Sequence, residues 1–272
     1  MEDLRYVISD NDITFFLQVY HDYNDACRCV EQLRLHYQTS RVIIISDGDD
    51  DPRYRQLSQR FNAEYTAGER LYTVHNGGKM LQRMLNAFLE RPCSYLIKID
   101  TDTLVHRRFR YMPAGPAVFG TLEWETSKSK TKLDFPNVQG GCLGFTLESA
   151  KQIADSGLLL SESMVDYRAT YADNPDIIIR AERVGLISAD FVIRYACRQL
   201  AIPPVQFDEV YSIYRGTIPP GGGGFAVTHP HKSKMNYSTL ERASTILRKA
   251  LNRVIAFKRF LRQIAMWVRF FC

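Results

Sequence analysis

A chain of 272 residues with 45% hydrophobic content can bury a substantial core, which excludes intrinsic disorder and fits one large α/β domain, alone or with an appendage. The net charge of +5 is unevenly placed: eight Lys/Arg and no Asp/Glu fall between Arg242 and Cys272, so the rest of the chain is net acidic and nucleic-acid binding is not expected. The six cysteines lack CxxC or finger spacing and read as reduced thiols of a cytosolic protein, Met1-Glu2-Asp3 is acidic where a signal peptide is basic, and no run of about 18 apolar residues suggests a membrane span.

The predicted elements begin with a buried strand from Ile13 to Tyr20, rich in β-branched and aromatic residues, followed by a helix from Asn24 to about Gln38. Arg41 to Ser46 reads as a strand buried on both faces, stopped by the acidic loop Asp47-Gly48-Asp49-Asp50-Asp51-Pro52. A helix from Pro52 to about Phe61, a short strand near Glu64 to Thr66 and a helix from Gly78 to about Glu90 lead to a strand over Ser94 to Ile99. Alternation of this kind predicts a parallel sheet with ligands outside the carboxyl ends of the strands, which is where both acidic clusters fall. Further on, Val118 to Leu122 is strand-like, Asn137 to Phe145 is glycine-rich, Leu147 to about Ser156 can be helical, and a last helix before the tail covers Asp176 to Val184. Pro219 to Gly224 reads as a flexible loop, followed by a short strand Phe225 to Thr228 and then His229-Pro230-His231-Lys232.

The strongest chemical signal is Tyr95-Leu96-Ile97-Lys98-Ile99-Asp100-Thr101-Asp102, an apolar strand ending in two carboxylates one residue apart. Oxygen donors at that spacing suit a hard divalent cation that also binds phosphate oxygens.

From the opening strand to Lys232, the ordered series of landmarks resembles the GT-A glycosyltransferases, a family 2-like or related DxD-containing group. The resemblance implies a Rossmann-like, mostly parallel central sheet flanked by helices. It also implies metal-dependent transfer of a sugar from a nucleoside-diphosphate donor, a UDP-sugar, to a glycan or lipid-linked hydroxyl acceptor in polysaccharide or glycolipid synthesis. Asp100 and Asp102 match the DxD, implying Asp102 as ligand to Mn²⁺ or Mg²⁺ and Asp100 as ribose or metal contact. Ile43 to Gly48 resembles the second strand, whose terminal Asp, here Asp47, contacts base or ribose. Asn76-Gly77-Gly78-Lys79 is similar to the start of the helix before the DxD strand, which brings Lys79 to the donor side. Gln139-Gly140-Gly141-Cys142-Leu143-Gly144 looks like the wall where missing side chains let a sugar ring reach the backbone. Asp173-Asn174-Pro175-Asp176 is similar to the acidic-pair helix that supplies the general base of inverting enzymes. The usual adjacent Glu-Asp is missing, and Asp176 is preferred over Asp173 because it begins the helix. His229 or His231 completes the metal sphere by the same resemblance, and Lys232 neutralises diphosphate.

Residues 1–238 are thus expected to form the catalytic domain and 239–272 a basic amphipathic helical tail. From Val254 onward, Phe257, Phe260, Leu261, Ile264, Trp267, Val268 and Phe271 share one helical arc, with Lys258, Arg259, Arg262 and Arg269 opposite. Such a helix fits an anionic membrane interface through residues 242–272, hence a peripheral protein on the inner face of a membrane, or else packs on the domain or a second subunit. Two other readings stay open: a haloacid-dehalogenase-like phosphatase with Asp100 as nucleophile, for which no late acidic metal cluster is found, and a non-enzymatic membrane-surface protein.

Overall fold

The alternation of strands and helices is realised in the computed structural model, which describes residues 4–6, 8–125, 132–172, 175–185, 187, 189–212 and 224–229. Strand β1 (Leu4–Arg5) precedes β2 (Ile13–Val19), α1 (Tyr23–His36), β3 (Arg41–Asp47), α2 (Pro52–Arg60), β4 (Glu64–Gly68), α3 (Gly77–Leu89) and β5 (Tyr95–Ile99). Short strands β6 (Leu104–Val105) and β7 (Met112–Pro113) lead to the long pair β8 (Val118–Glu125) and β9 (Lys132–Thr146). Helices α4 (Leu147–Asp155), α5 (Glu162–Val165), α6 (Tyr167–Thr170), α7 (Pro175–Val184) and α8 (Ala189–Gln199) follow, then β10 (Pro204–Gln206), β11 (Val210–Ser212) and β12 (Val227–His229).

Local chemistry accounts for the boundaries. Asp51 caps α2 by accepting from Arg53 N at 2.9 Å, with Pro52 at the first helical position, and Thr146 ends β9 and caps α4 through Ser149 N at 3.4 Å. Helix α1 buries Ala26, Cys29, Val30 and Leu33 on one face of the sheet, while α3 buries Leu81, Met84, Leu85 and Phe88 on the other. Each of these larger side chains contributes about 1.5–3 kcal/mol by leaving water.

The central sheet is α/β in character and has the order β10-β8-β9-β5-β2-β3-β4. Strands β2, β3, β4 and β5 are parallel, as the alternation predicts, and β8 and β10 run with them. The exception is β9, antiparallel to both β5 and β8. The glycine-rich Asn137–Phe145 segment is thus part of a strand: Gly144 admits the Phe119 ring, which would lie 2.2 Å from an added Cβ. A second correction concerns the helices, because Asp176–Val184 is not the last before the tail. Val192, Ile193, Ala196 and Cys197 recur at helical spacing in α8 and are buried against β9 and α3.

A smaller sheet of order β11-β12-β6 stands beside the central one, and β1 pairs with β7. The described residues belong to one compact unit, Met1–His231; the tail segment 239–272 lies outside them. Among the described residues no helix is long and apolar enough to cross a membrane, and the five described cysteines are unpaired thiols.

Candidate metal centre at the sheet switch point

From β2 the chain steps outward through β3 and β4, and α3 then returns it to β5 on the other side of β2. The carboxyl ends of β2 and β5 therefore flank the point where strand order reverses, the usual ligand crevice of open α/β sheets. Asp22 follows β2 and Asp100 follows β5. The two strand ends are tied together, because the Thr101 hydroxyl donates to Asp22 Oδ2. Asp22 Oδ1 accepts from Tyr20 N at 3.0 Å and from the Tyr54 hydroxyl at 2.9 Å. Burial raises the Asp22 pKa above the usual carboxylate value, more than these hydrogen bonds lower it. The N-terminus of α1, which could otherwise favour a phosphate, thus begins at an acid.

The Asp100-Thr101-Asp102 turn is pinned to β9. Asp100 N donates to Gly141 O at 2.9 Å, Thr103 Oγ1 donates to the same oxygen at 3.0 Å, and Thr103 N closes the turn on Asp100 O at 3.1 Å. Opposite Thr121, β9 bulges over Gln139 to Cys142, since Gly120 pairs with Leu143 and Leu122 with Val138. Bulges of this kind re-aim a strand next to a site.

His229 reaches this turn from the far end of the described chain. Strand β12 pairs antiparallel with β6, which directly follows the DxD, with Thr228 opposite Leu104; it pairs parallel with β11, with His229 opposite Ser212. Its entry is fixed by Glu209, whose backbone oxygen accepts from Ala226 N and Val227 N at 2.8 and 3.2 Å. The Glu209 carboxylate is fully buried. Burial alone would raise its pKa, but Arg107 and the backbone and side chain of Arg110 donate to it and bring the net shift below the usual value. His229 Nε2 thereby stands 3.0 Å from Asp102 Oδ1 and 3.4 Å from Asp100 Oδ2, and Nδ1 is 3.3 Å from Ser212 Oγ. Gly141 makes the approach possible, since a Cβ there would lie 1.8 Å from His229 Nδ1.

One ligand atom from each of Asp100, Asp102 and His229 can be chosen so that all lie within 4.8 Å of one another. Two carboxylate oxygens and an imidazole nitrogen, with Ser212 against the other ring nitrogen, form a donor set that could hold a divalent metal ion. Lys98 adds a positive charge. Its ammonium group, on a side chain only 12% exposed, donates to Asp100 Oδ1 and to Gly140 O, the latter at 2.5 Å.

The other expected site residues are more scattered. Gly140 adjoins the DxD turn through Lys98. Asp47 ends β3 but is 1% exposed: Oδ1 accepts from Leu71 N at 2.8 Å and from Arg83 at 2.9 Å, and Oδ2 from Tyr72 N at 3.0 Å. Its carboxylate is engaged in holding the loop between β4 and α3. Lys79 is exposed in the first turn of α3. Asp176 falls in the first turn of α7, as expected for its backbone, whereas its side chain, Asp173, His231 and Lys232 lie outside what is described.

Four residues near the centre escaped the sequence reading: Asp22, Lys98, Ser212 and Asp190. A lysine inside an apolar strand two residues before the DxD was a visible signal, and so was an acid just past the first strand. Nothing local marked Ser212. Asp190, 9% exposed in the first turn of α8, meets the glycine wall: a Cβ on Gly140 would lie 3.7 Å from its Cβ and 3.8 Å from its Oδ1. No protein-family model and no curated protein matches the chain.

Proposed function

We propose that the chain is a metal-dependent glycosyltransferase of the GT-A type, moving a sugar from a nucleoside-diphosphate donor to a hydroxyl of a glycan or lipid-linked acceptor. The observation that carries this reading is the meeting of Asp100, Asp102 and His229 at the switch point of a largely parallel sheet. A Mn²⁺ or Mg²⁺ ion held there would offset the charge that develops on the departing nucleoside diphosphate. UDP is the nucleotide by resemblance.

The chain's own residues supply the rest. Asp22, at the start of α1, ties that helix end to the DxD turn through the Thr101 hydroxyl. Gly140 presents backbone beside the DxD turn where a sugar ring would approach, while the space left by the missing side chain of Gly141 is taken by His229. Asp190, whose side chain lies against Gly140 beside the DxD turn, joins Asp176 as a candidate general base and is the one taken in the step that follows. In a direct displacement, the acceptor oxygen forms the new bond to the anomeric carbon, the bond from that carbon to the diphosphate oxygen breaks, and Asp190 takes the hydroxyl proton. The product has inverted configuration.

The test is hydrolysis and transfer by the purified full chain over a panel of nucleotide sugars, with and without Mn²⁺, for wild type, Asp102→Ala and Asp190→Asn. Metal-dependent turnover of one donor, lost in Asp102→Ala, supports the reading. Asp190→Asn is expected to keep donor binding and to lose about 100-fold or more in transfer. Failure to bind any nucleotide sugar, with phosphate released from simple phosphoesters, would sink it in favour of a phosphatase that uses Asp100 as nucleophile.

A further inference from the structure

Lys98 stands in an unusual place for a residue beside a cation site. Its backbone is fixed in the middle of the sheet, in β5 between β2 and β9, so the side chain cannot be carried away by a loop movement. The ammonium group is held from two sides, by the Asp100 carboxylate and by Gly140 O at the β9 bulge. Asp100 and Asp102 bring two formal negative charges to the centre, and Lys98 compensates one of them at contact distance. A divalent ion arriving alone thus meets two ligand carboxylates, one of them already paired with an ammonium group on a side chain only 12% exposed. At such separations, Coulomb repulsion between +1 and +2 weakens ion binding by about a factor of ten even with strong screening. A diphosphate brings back the missing negative charge through its own oxygens.

We infer that Lys98 makes cation binding conditional on the diphosphate: the centre holds a free divalent ion poorly and takes it up together with a diphosphate group. This deepens the proposed function and rests on it. Lys98 acts as a positioning and charge-setting residue, without touching the reacting atoms. Linkage requires the coupling to be mutual, so the ion strengthens diphosphate binding by the same factor as the diphosphate strengthens ion binding.

Equilibrium dialysis of Mn²⁺ against the full chain, with and without inorganic pyrophosphate, tests this on wild type, Lys98→Gln, Lys98→Arg and Asp102→Ala. Pyrophosphate serves as the probe because it carries the diphosphate without a base or sugar. Wild type should retain Mn²⁺ at least tenfold more strongly when pyrophosphate is present, after correction for the complex formed in the protein-free compartment. Lys98→Gln keeps a donor for Gly140 O but loses the charge, and should bind Mn²⁺ alone about tenfold more tightly than wild type, with a smaller gain from pyrophosphate. Lys98→Arg should behave as wild type. Free-Mn²⁺ binding by Lys98→Gln that is equal to or weaker than wild type would overturn the inference and leave Lys98 as an orienting group for Asp100. If Lys98→Gln does not fold, the wild-type comparison decides alone, because no gain from pyrophosphate is incompatible with the inference. Wild type and Asp102→Ala that retain Mn²⁺ equally under both conditions would instead remove the metal centre itself, and the proposed function with it.

Discussion

His229 occupies the space where a side chain on residue 141 would sit, so the centre depends on a hydrogen atom in place of a methyl group. Gly141→Ala is expected to force the imidazole away from Asp102 and to lower Mn²⁺ retention in the presence of pyrophosphate by at least tenfold, while the far-UV circular dichroism spectrum stays that of the wild type. Glu209 gives a prediction with a definite pH sense. Its folded pKa lies below the ordinary value of 4.5, so its contribution to stability is fully present above that value and is lost as pH falls through the lower folded one. Glu209→Gln should lower stability in urea unfolding at pH 7, because it removes the buried carboxylate that Arg107 and Arg110 share, and the difference from wild type should shrink as pH falls below the ordinary value of 4.5. Asp22 works in the opposite sense: its raised pKa favours the protonated form in the folded state, so that contribution is lost as pH rises through the folded value.

Among the elements, the small β11-β12-β6 sheet matters most for the centre. It is built from strands of two or three residues that would not persist alone, and it is held by Glu209 on one side and by the DxD turn on the other. The DxD was plain in the sequence and so was a late histidine, but the register that sets Thr228 against Leu104, and with it the approach of His229 to Asp102, was not. Strand β9 could not be read as antiparallel because its glycines suit a turn as well as a strand that accommodates Phe119 and His229. The loop between β4 and α3 shows the same dependence on distant partners. Asp47→Ala is expected to cost about 2 kcal/mol and to speed hydrogen exchange at the Leu71 and Tyr72 amides, since both lose their buried acceptor. Unchanged exchange at these two amides would show that the loop is held by other contacts.

At the scale of the whole molecule, charge separates an acidic body from a basic tail, and the tail reading leads to a direct measurement. Deleting residues 239–272 is expected to abolish co-sedimentation with vesicles rich in anionic lipid and to leave Mn²⁺ retention with pyrophosphate intact. Loss of both would mean that the tail belongs to the folded body. The sequence by itself determined the β-α alternation from Ile13 to Ile99 and the acidic strand end at Asp100, because periodicity, caps and strand termini are encoded among near neighbours. Only the tertiary structure decided that β9 runs against its neighbours, that Asp47 faces a loop, that Lys98 partners Asp100, that Asp190 adjoins the glycine wall and that His229 joins the DxD. Those contacts join residues far apart along the chain, and strand register and packing across the sheet fix them where no local pattern can.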